Sequence, residues 1–445
     1  MSETSFSTKD LHKSLGRKEL FSISFGQIIG AGIMALTGVA IAMTGRSANI
    51  SYVLAAIAVI ALTIPTIFIT SSVRMRGGQY TQAAVFVNKK FSGMYIIIYI
   101  ISNISIAMYA ISFGDYFFAL VPSIPPKLIS IIILTLVFGI NLFGIKKAAK
   151  TQFLMVFILA AALALFVGFG VFKIQPGYFQ NPGFMTNGVT GLLTGMAILT
   201  FATGGASQII NLSAEAKNAK KDIPFVLIVS TLIVAFLYAL IATVAAGVLP
   251  VEQVAGKPLT LVAETILPSW AYVFFIVGGA MFALVTTLNA TVSWVTKPIM
   301  QACVDNWFPK SFAKLHPKYN TPYKLIAVFY IVGLLPIIFG FDIEYIANFA
   351  LLLLFATGIV LGIGSFRLPT LYPRQWAASP FHVNKFWFYV LNVIAILVLL
   401  LQSFLMAANL DTVGLLGNLG VMVFAVIFGI VRSRKVNMEI SIEDE

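Results

Sequence analysis

The chain has few charged residues and few residues that bind metals. Asp, Glu, Lys and Arg make up 10% of its 445 residues, whereas hydrophobic residues make up 59%. That composition excludes an ordinary soluble globular protein, in which about a quarter of the residues are charged. The single cysteine, Cys303, has no partner for an internal disulfide, and the three histidines form no metal-ligand spacing with it. The sequence therefore predicts neither an internal disulfide nor a Cys/His metal centre.

Other protein classes are excluded in the same way. No G-x-x-x-x-G-K-[ST] motif occurs, and no stretch between apolar segments could hold an ATP-binding domain. The apolar segments lack paired acids or a nucleophile with a base partner, which argues against an enzyme. Nothing resembles a selectivity filter or a ring of charges, which disfavours a channel. The net charge of +13 is spread in short patches between apolar segments, so we expect a lipid bilayer and not nucleic acid as its partner.

The apolar residues that dominate the chain are arranged in long runs. A helix needs about 20 such residues to cross the hydrocarbon layer of a bilayer. The sequence therefore predicts an all-α polytopic membrane protein with twelve spans. They are predicted at residues 20–43, 49–73, 92–121, 128–145, 151–172, 188–212, 224–249, 268–300, 324–340, 345–365, 385–407 and 413–432.

The basic residues predict the orientation of these spans. If the N-terminus is cytoplasmic, all but four of the 29 Lys and Arg residues fall in cytoplasmic segments. The four exceptions are Arg46, Lys127, Lys173 and Lys257. Such an imbalance is the positive-inside signature of a multi-pass protein. We therefore expect a plasma-membrane protein with both termini in the cytoplasm.

Two predicted spans contain helix-weakening glycines near mid-membrane. Span one carries Gly26, Gly30 and Gly32, and span six carries the pair Gly204 and Gly205. These glycines could simply let helices pack closely. However, spans one and six would correspond if spans one to five and six to ten are two copies of a five-helix unit in opposite orientations. In transporters with such inverted repeats, paired broken helices form a midplane site. Half-helix N-termini attract an anion and free carbonyls hold a cation, an arrangement that suits an amino acid zwitterion.

Four short motifs carry a family resemblance. Residues 26–33 (GQIIGAGI) resemble the first-helix motif G-x-I-[IV]-G-[ST]-G-I of the amino acid-polyamine-organocation superfamily. Further segments resemble other motifs of that family, in the same order along residues 18 to 365. They are 141–146 (NLFGIK), 211–224 (NLSAEAKNAKKDIP), and 305–309 (DNWFP) with 316–322 (HPKYNTP).

The resemblance implies a leucine-transporter type of fold, with five-plus-five inverted repeats, broken helices one and six, and two extra helices. It implies that the substrate carboxylate binds the backbone N–H groups of Ala31, Gly32 and Ile33, where the second half of helix one begins. It also implies that carbonyls of Ile28, Phe201 and Gly204 meet the amine, with the Phe201 ring closing over the ligand. The corresponding organisation is a cytoplasmic segment 1–19, a transport core 20–365, two further spans in 366–432 and a cytoplasmic tail 433–445.

The side chains expected to select the substrate carry no charge. They are Thr203, Ala206, Asn103, Tyr109, Asn289 and Ser293. A buried charged substrate group would need an opposite partner, so this set favours a neutral amino acid. Asp115 is the only acidic residue well within a span and supports the alternative of a cationic amino acid or polyamine carrier. Interhelical hydrogen bonding is a further interpretation of the Asn and Thr residues.

The driving ion is predicted from what the spans offer. The position where several relatives have a lysine in span five falls on Leu159, and Ser207 stands where others have a carboxylate. No span carries a histidine, so simple proton coupling loses support. Span eight instead places Ala283, Thr286 and Thr287 on one helix face.

With carbonyls of Gly26 and Ile29, these residues give five neutral oxygens, a set that suits a sodium ion and resembles the second sodium site of the leucine-transporter fold. No other cofactor is expected. Threonines that only bond their own helix, in an exchanger without ion coupling, are the alternative. We therefore predict a secondary amino acid transporter in which spans one, two, six and seven rock against the rest; its oligomeric state is left open.

Overall fold

A computed structural model describes most of the chain. The described residues are 15–75, 77–143, 148–180, 183–213, 216–319, 321–438 and 442–443, with the backbone alone for residues 31, 148–156, 293 and 442–443. Parts of the motifs noted above, at residues 144–146, 214–215 and 320, lie outside these ranges. So do residues 1–14 of the predicted N-terminal segment and 439–441 and 444–445 of the predicted tail.

The described residues are mostly helical. The helices are α1 (Arg17–Ile28), α2 (Ala31–Thr44), α3 (Ala48–Ser72), α4 (Gln79–Gln82), α5 (Lys89–Ser102), α6 (Ile106–Leu120), α7 (Pro126–Leu142), α8 (Ala148–Gly170), α9 (Gly188–Thr203), α10 (Ala219–Gly247), α11 (Val251–Val254), α12 (Thr260–Ile266), α13 (Ser269–Phe274), α14 (Phe282–Val295), α15 (Lys297–Val304), α16 (Tyr323–Phe339), α17 (Ile343–Ser365), α18 (Leu368–Leu371), α19 (Pro373–Ala377), α20 (Lys385–Ala408) and α21 (Thr412–Arg432). Short 3₁₀ segments lie at Gly45–Ser47, Asn103–Ser105, Val171–Lys173, Gly204–Leu212, Lys310–Phe312 and Ser433–Lys435, and π-helical turns lie at Ala83–Val87 and Phe275–Met281. Two short strands, β1 (Arg74–Met75) and β2 (Ile442–Glu443), pair antiparallel.

The helices are long and apolar enough for a multi-pass membrane protein. Among the described residues, eight helical runs meet the length and composition of a membrane span, and three further apolar helices are shorter. The run Gly32–Ser72 holds 41 residues because it joins α2 and α3 through the turn that Gly45 begins at φ +71°. These findings confirm the polytopic helical class, whereas the count of twelve spans and the inverted repeat stay predictions.

Two sets of helices pack mainly among themselves. The first helix group is α1, α2, α3, α9 and α10, in which α3 packs along α10 and α9, and α1 along α10. The second helix group is α5, α6, α7, α14, α15, α16, α17 and α21. Both described chain ends lie at one end of the bundle, which we call the terminal end: Leu15 bridges to Ala216 there, and β2 pairs with β1.

Candidate functional site

The first helix break lies at the predicted position. Helix α1 ends at Ile28 and α2 begins at Ala31, with Ile29 at φ −79°, ψ 82° and Gly30 at φ −152°, ψ −123°. The Gly30 N–H donates to the Ile28 carbonyl at 2.9 Å instead of continuing the helical pattern to Gly26. The first turn of α2 therefore starts with N–H groups that have no partner within the helix.

The second break has a different form. Helix α9 ends at Thr203, and the chain continues as a nine-residue 3₁₀-helix over Gly204–Leu212. Runs of 3₁₀-helix longer than three or four residues are uncommon and often mark a functional hinge. The Ser207 hydroxyl donates to the Gly204 carbonyl at 2.8 Å.

The two breaks touch each other, and glycine permits the contact. A Cβ atom on Gly205 would lie 2.5 Å from the Gln27 carbonyl oxygen. A Cβ on Gly32 would overlap the backbone of Ala202. A Cβ on Gly30 would likewise overlap the Thr287 hydroxyl of α14. Close packing and a broken-helix site are therefore both present at these glycines.

A cavity of about 230 Å³ borders both breaks. None of its described lining residues carries a charge. It is also lined by residues of α3, α5, α6, α14 and α17. The structure brings seven of the predicted residues to this cavity: Ile28, Gly32, Phe201, Gly204, Asn103, Tyr109 and Thr287.

Two of these residues form an aromatic pair at the cavity. The rings of Phe201 and Tyr109 have their centroids 6.3 Å apart with the planes tilted by 38°. Nearby, span three is interrupted by the 3₁₀ turn at Asn103–Ser105, where the Asn103 side-chain amide donates to the Tyr99 carbonyl at 2.7 Å. This third interruption is absent from the sequence prediction.

The carbonyl of Ile28, predicted to meet an amine, already accepts two hydrogen bonds. One comes from the Gly30 N–H and the other from the Tyr238 hydroxyl of α10 at 2.5 Å. Tyr238 is fully buried, and its ring packs at 5.2 Å against that of Tyr52. Tyr238 therefore fixes the first break. The Ile28 carbonyl is left with no lone pair for a substrate amine, since a carbonyl oxygen has two.

Several predicted residues do not line the cavity. Ile33, Thr203 and Ala206 are completely buried, and the Thr203 hydroxyl donates to the Leu199 carbonyl of its own helix at 3.0 Å. The Asn289 side-chain oxygen accepts a hydrogen bond from the Asn141 side-chain amide of α7 at 2.7 Å. In this structure the Thr203 and Asn289 side chains therefore bond along or between helices and do not line the cavity.

Polar cavity residues outside the prediction include three glutamines and a tryptophan, beside several Ser, Thr and Tyr residues. Gln27, Gln79 and Gln208 line the cavity, and the Trp294 indole N–H donates to the Gln27 side-chain oxygen at 3.3 Å. A glutamine within an apolar span is itself a signal, because polar side chains are costly in a membrane and face its interior sites. That signal could have identified Gln27, which follows Gly26 in the first-helix motif.

The candidate sodium ligands are partly brought together. Thr287 lies against Gly30 at the first break. This contact packs α14 against the segment between α1 and α2. The hydroxyls of Thr286 and Thr287 both donate to the Ala283 carbonyl at 2.9 Å. Their oxygen lone pairs remain available, whereas the Ala283 carbonyl already accepts two hydrogen bonds. The structure therefore places the Thr287 hydroxyl at the first break, and the sodium site with Gly26 and Ile29 stays a prediction.

Comparison with known proteins agrees with this geometry. A family model described as amino acid permease matches residues 15–431. The branched-chain amino acid permease BcaP of Bacillus subtilis is 27% identical over 71% of this chain and 72% of its own length. The methylthioribose transporter of the same organism is 24% identical over 71% and 73%, and cationic amino acid transporter 7 of Arabidopsis thaliana is 23% identical over 71% and 59%.

The match spans nearly the whole chain and includes both breaks and every described membrane helix. Membership in this family accounts for the motifs, the polytopic helical fold and the uncharged cavity. The members of such a family are membrane transporters of small molecules and not enzymes. The chain belongs to the amino acid permease family of the amino acid-polyamine-organocation superfamily.

Proposed function

We propose that this permease is a secondary active transporter of neutral amino acids that works by alternating access in the plasma membrane. The observation that carries the proposal is the convergence of two broken helices on one cavity whose described lining is uncharged. Backbone groups freed at the breaks recognise the zwitterion common to all amino acids, and uncharged side chains leave no partner for a charged substrate side chain.

The carboxylate binds the N–H groups of Ala31 and Gly32 at the start of α2; Ile33, the third member of the predicted set, is completely buried in this structure. These groups lack helical partners, and the helix dipole favours an anion there. The ammonium group binds on the opposite side of the cavity, at the carbonyls of Phe201 and Gly204. Because the Tyr238 hydroxyl bonds the Ile28 carbonyl, Ile28 contributes to the shape of the break and does not bind the ammonium group.

The cationic amino acid or polyamine alternative rests on Asp115 and on relatives such as the cationic amino acid transporter of Arabidopsis thaliana. Asp115 does not line the cavity that borders the breaks. The branched-chain specificity in the name of the Bacillus relative is consistent with a neutral substrate. We therefore favour neutral amino acids.

The arrangement fits one state of an alternating-access cycle. The cavity borders Tyr95, Trp294 and Gln208, on segments that lead to the terminal end. On the opposite side of the break the Tyr116 hydroxyl donates to the Met34 carbonyl at 3.2 Å and accepts from the Leu259 N–H at 3.3 Å. With cytoplasmic termini, the side held by Tyr116 is the extracellular side of a twelve-span protein, in which residues 20–365 form the inverted-repeat core and 366–432 the last two spans.

Sodium is the coupling ion that the available oxygens favour. The hydroxyls of Thr286 and Thr287 and the carbonyls of Gly26 and Ile29 are neutral oxygen ligands, which suit a hard cation. Leu159 is buried and apolar, so no charge from that position replaces the ion. Exchange without ion coupling is the alternative.

Uptake into proteoliposomes tests the proposal. We expect saturable uptake of a labelled neutral amino acid such as leucine, competed by other neutral amino acids and stimulated by an inward sodium gradient. Competition by arginine or spermidine but not by leucine would support the cationic alternative. Equal rates with sodium, potassium or choline outside would remove sodium coupling and leave the amino acid assignment intact.

A further inference from the structure

The chain segment after α21 is attached to the second helix group. We call Ser433–Met438 together with β2 the C-terminal strap. The Lys89 ammonium group donates to the Val436 carbonyl at 3.1 Å, and the Asn437 N–H donates to the Asp305 carbonyl at 3.2 Å. The Ser92 hydroxyl lies 3.8 Å from the Met438 sulfur, and Val436 is buried. Lys89 and Ser92 belong to α5, and Asp305 follows α15.

The far end of the strap is attached to the first helix group. Strand β2 pairs with β1, which places Arg74 opposite Glu443 and Met75 opposite Ile442. Only Val73 separates β1 from the end of α3.

Strand β1 is fastened to the connection between the second break and α10. The buried Arg74 guanidinium donates to the carbonyls of Ser213 and Ala216 at 3.0 and 3.1 Å. The Ser213 hydroxyl in turn donates to the Met75 carbonyl at 2.9 Å. Strand β1 is therefore held by its chain link to α3 and by the connection that leads to α10, whereas α4 after it bonds Asp305 through the Tyr80 hydroxyl.

We propose that the C-terminal strap restrains separation of the two helix groups at the terminal end and so sets how readily the cavity opens there. The proposal rests on the rocking motion of the proposed function. Any motion that separates β1 from α5 and Asp305 must break the β1–β2 pairing or detach the strap from the second helix group. The β ladder is two residues long and therefore weak, whereas the other attachment includes a buried side chain. The ladder is the part that releases.

Disulfide trapping tests the strap in the full chain. The pair Met75→Cys/Ile442→Cys links the strap to β1, and the matched pair Ser92→Cys/Met438→Cys links it only to α5. Both are made in a Cys303→Ser background with Gln208→Cys as a reporter that lines the cavity. The readout is the rate at which the reporter reacts with a water-soluble maleimide added at the terminal end.

We expect oxidation of the Met75/Ile442 pair to slow labelling about tenfold, and reduction to restore it. That factor corresponds to one or two retained hydrogen bonds. The Ser92/Met438 pair should label at the parent rate in both redox states. Equal effects of the two pairs, or no effect of the first, would overturn the proposal.

Truncation after Met438 is a second test that needs no cross-link. It removes β2 and keeps the attachment to α5, so we expect faster reporter labelling than in the full chain. Unchanged labelling in a truncated protein that elutes as a single species would contradict the strap. Because this readout involves no substrate, a failure of the parent to take up amino acids would count against the proposed function without affecting the labelling result.

Discussion

The two helix breaks of this permease are built differently. The first is abrupt: two residues leave the helix between α1 and α2, and the Ile28 carbonyl is held by the buried Tyr238 hydroxyl. The second is gradual, because α9 continues as nine residues of 3₁₀-helix. A Cβ on Gly204 would meet only a Val59 methyl group, at 3.8 Å, whereas a Cβ on Gly30 would overlap the Thr287 hydroxyl. The first break is therefore a fixed anchor, and the second has room to adjust at Gly204, although its neighbour Gly205 packs closely on Gln27.

The difference assigns separate tasks to the breaks. A fixed first break suits recognition of the carboxylate, which is the same in every amino acid and gains from preorganised N–H groups. An adjustable second break, with the Phe201 ring at its edge, suits closure over side chains of different size. Substitutions at matched positions of the two breaks should therefore have unequal effects.

The largest effect is expected for Gly32→Ala compared with Gly204→Ala. The methyl group at position 32 would overlap the Ala202 backbone and force the broken helices apart. We expect Gly32→Ala to abolish uptake and to lower the thermal midpoint of the detergent-solubilised protein. Overpacking of this kind typically costs about 1–3 kcal/mol.

Gly204→Ala is the matched control, because its added methyl group has space. It should keep the parent's thermal midpoint and most of its uptake. If Gly32→Ala transported normally, the close approach of the two breaks would not matter for function. If both variants failed equally, the second break would be as fixed as the first.

Tyr238→Phe should have the next largest effect. It removes one hydrogen bond, at a cost of about 1 kcal/mol, and frees the Ile28 carbonyl at the first break. We expect a lower thermal midpoint and weaker substrate binding in a scintillation proximity assay. Tyr52→Phe is the control: it removes the bond with the Thr37 hydroxyl, which keeps its bond to the Ile33 carbonyl at 2.6 Å. Equal substrate affinity in both variants would contradict a special role of Tyr238.

These comparisons also show which features a sequence can reveal. The breaks at Gly30 and Gly204 are predictable, because glycine clusters act on the local backbone. Tyr238 is not, because its contact joins α10 to a carbonyl more than 200 residues away. The sequence does not show which of Phe201 and Thr203 lines the cavity. The reason is that a helix that tightens into a 3₁₀ turn changes the face on which each residue lies. Nor does the sequence show that Asn289 bonds Asn141, because the two residues lie on different helices. It therefore predicts that Asn289 contacts substrate.

A smaller and more specific effect is expected at the junction of the first break with α14. Thr286→Ala/Thr287→Ala removes two hydroxyl oxygens from the proposed cation site. We expect the sodium concentration for half-maximal uptake to rise about tenfold, with less change in substrate affinity at saturating sodium; tenfold corresponds to about 1.4 kcal/mol.

Thr135→Ala is the control for this change, because its hydroxyl also donates to its own helix, at 2.7 Å, but lies on α7 away from the cavity. It should keep the parent's sodium dependence. An unchanged sodium dependence in the double variant would show that Thr286 and Thr287 only bond the Ala283 carbonyl.

The smallest effect is expected for Thr203→Val, compared with Phe201→Ala two residues earlier. Valine keeps the shape of threonine, and the lost hydroxyl bonds only the Leu199 carbonyl. Because Thr203 is completely buried and does not line the cavity, we expect the order in which unlabelled amino acids compete for uptake to match the parent's. Phe201→Ala removes a ring that lines the cavity beside Tyr109 and should change that order, with the largest gain for bulky side chains. If Thr203→Val changed the competition order, the second break would have to turn Thr203 toward the substrate during the transport cycle. The adjustable part of the second break would then include Thr203 as well as the Phe201 ring.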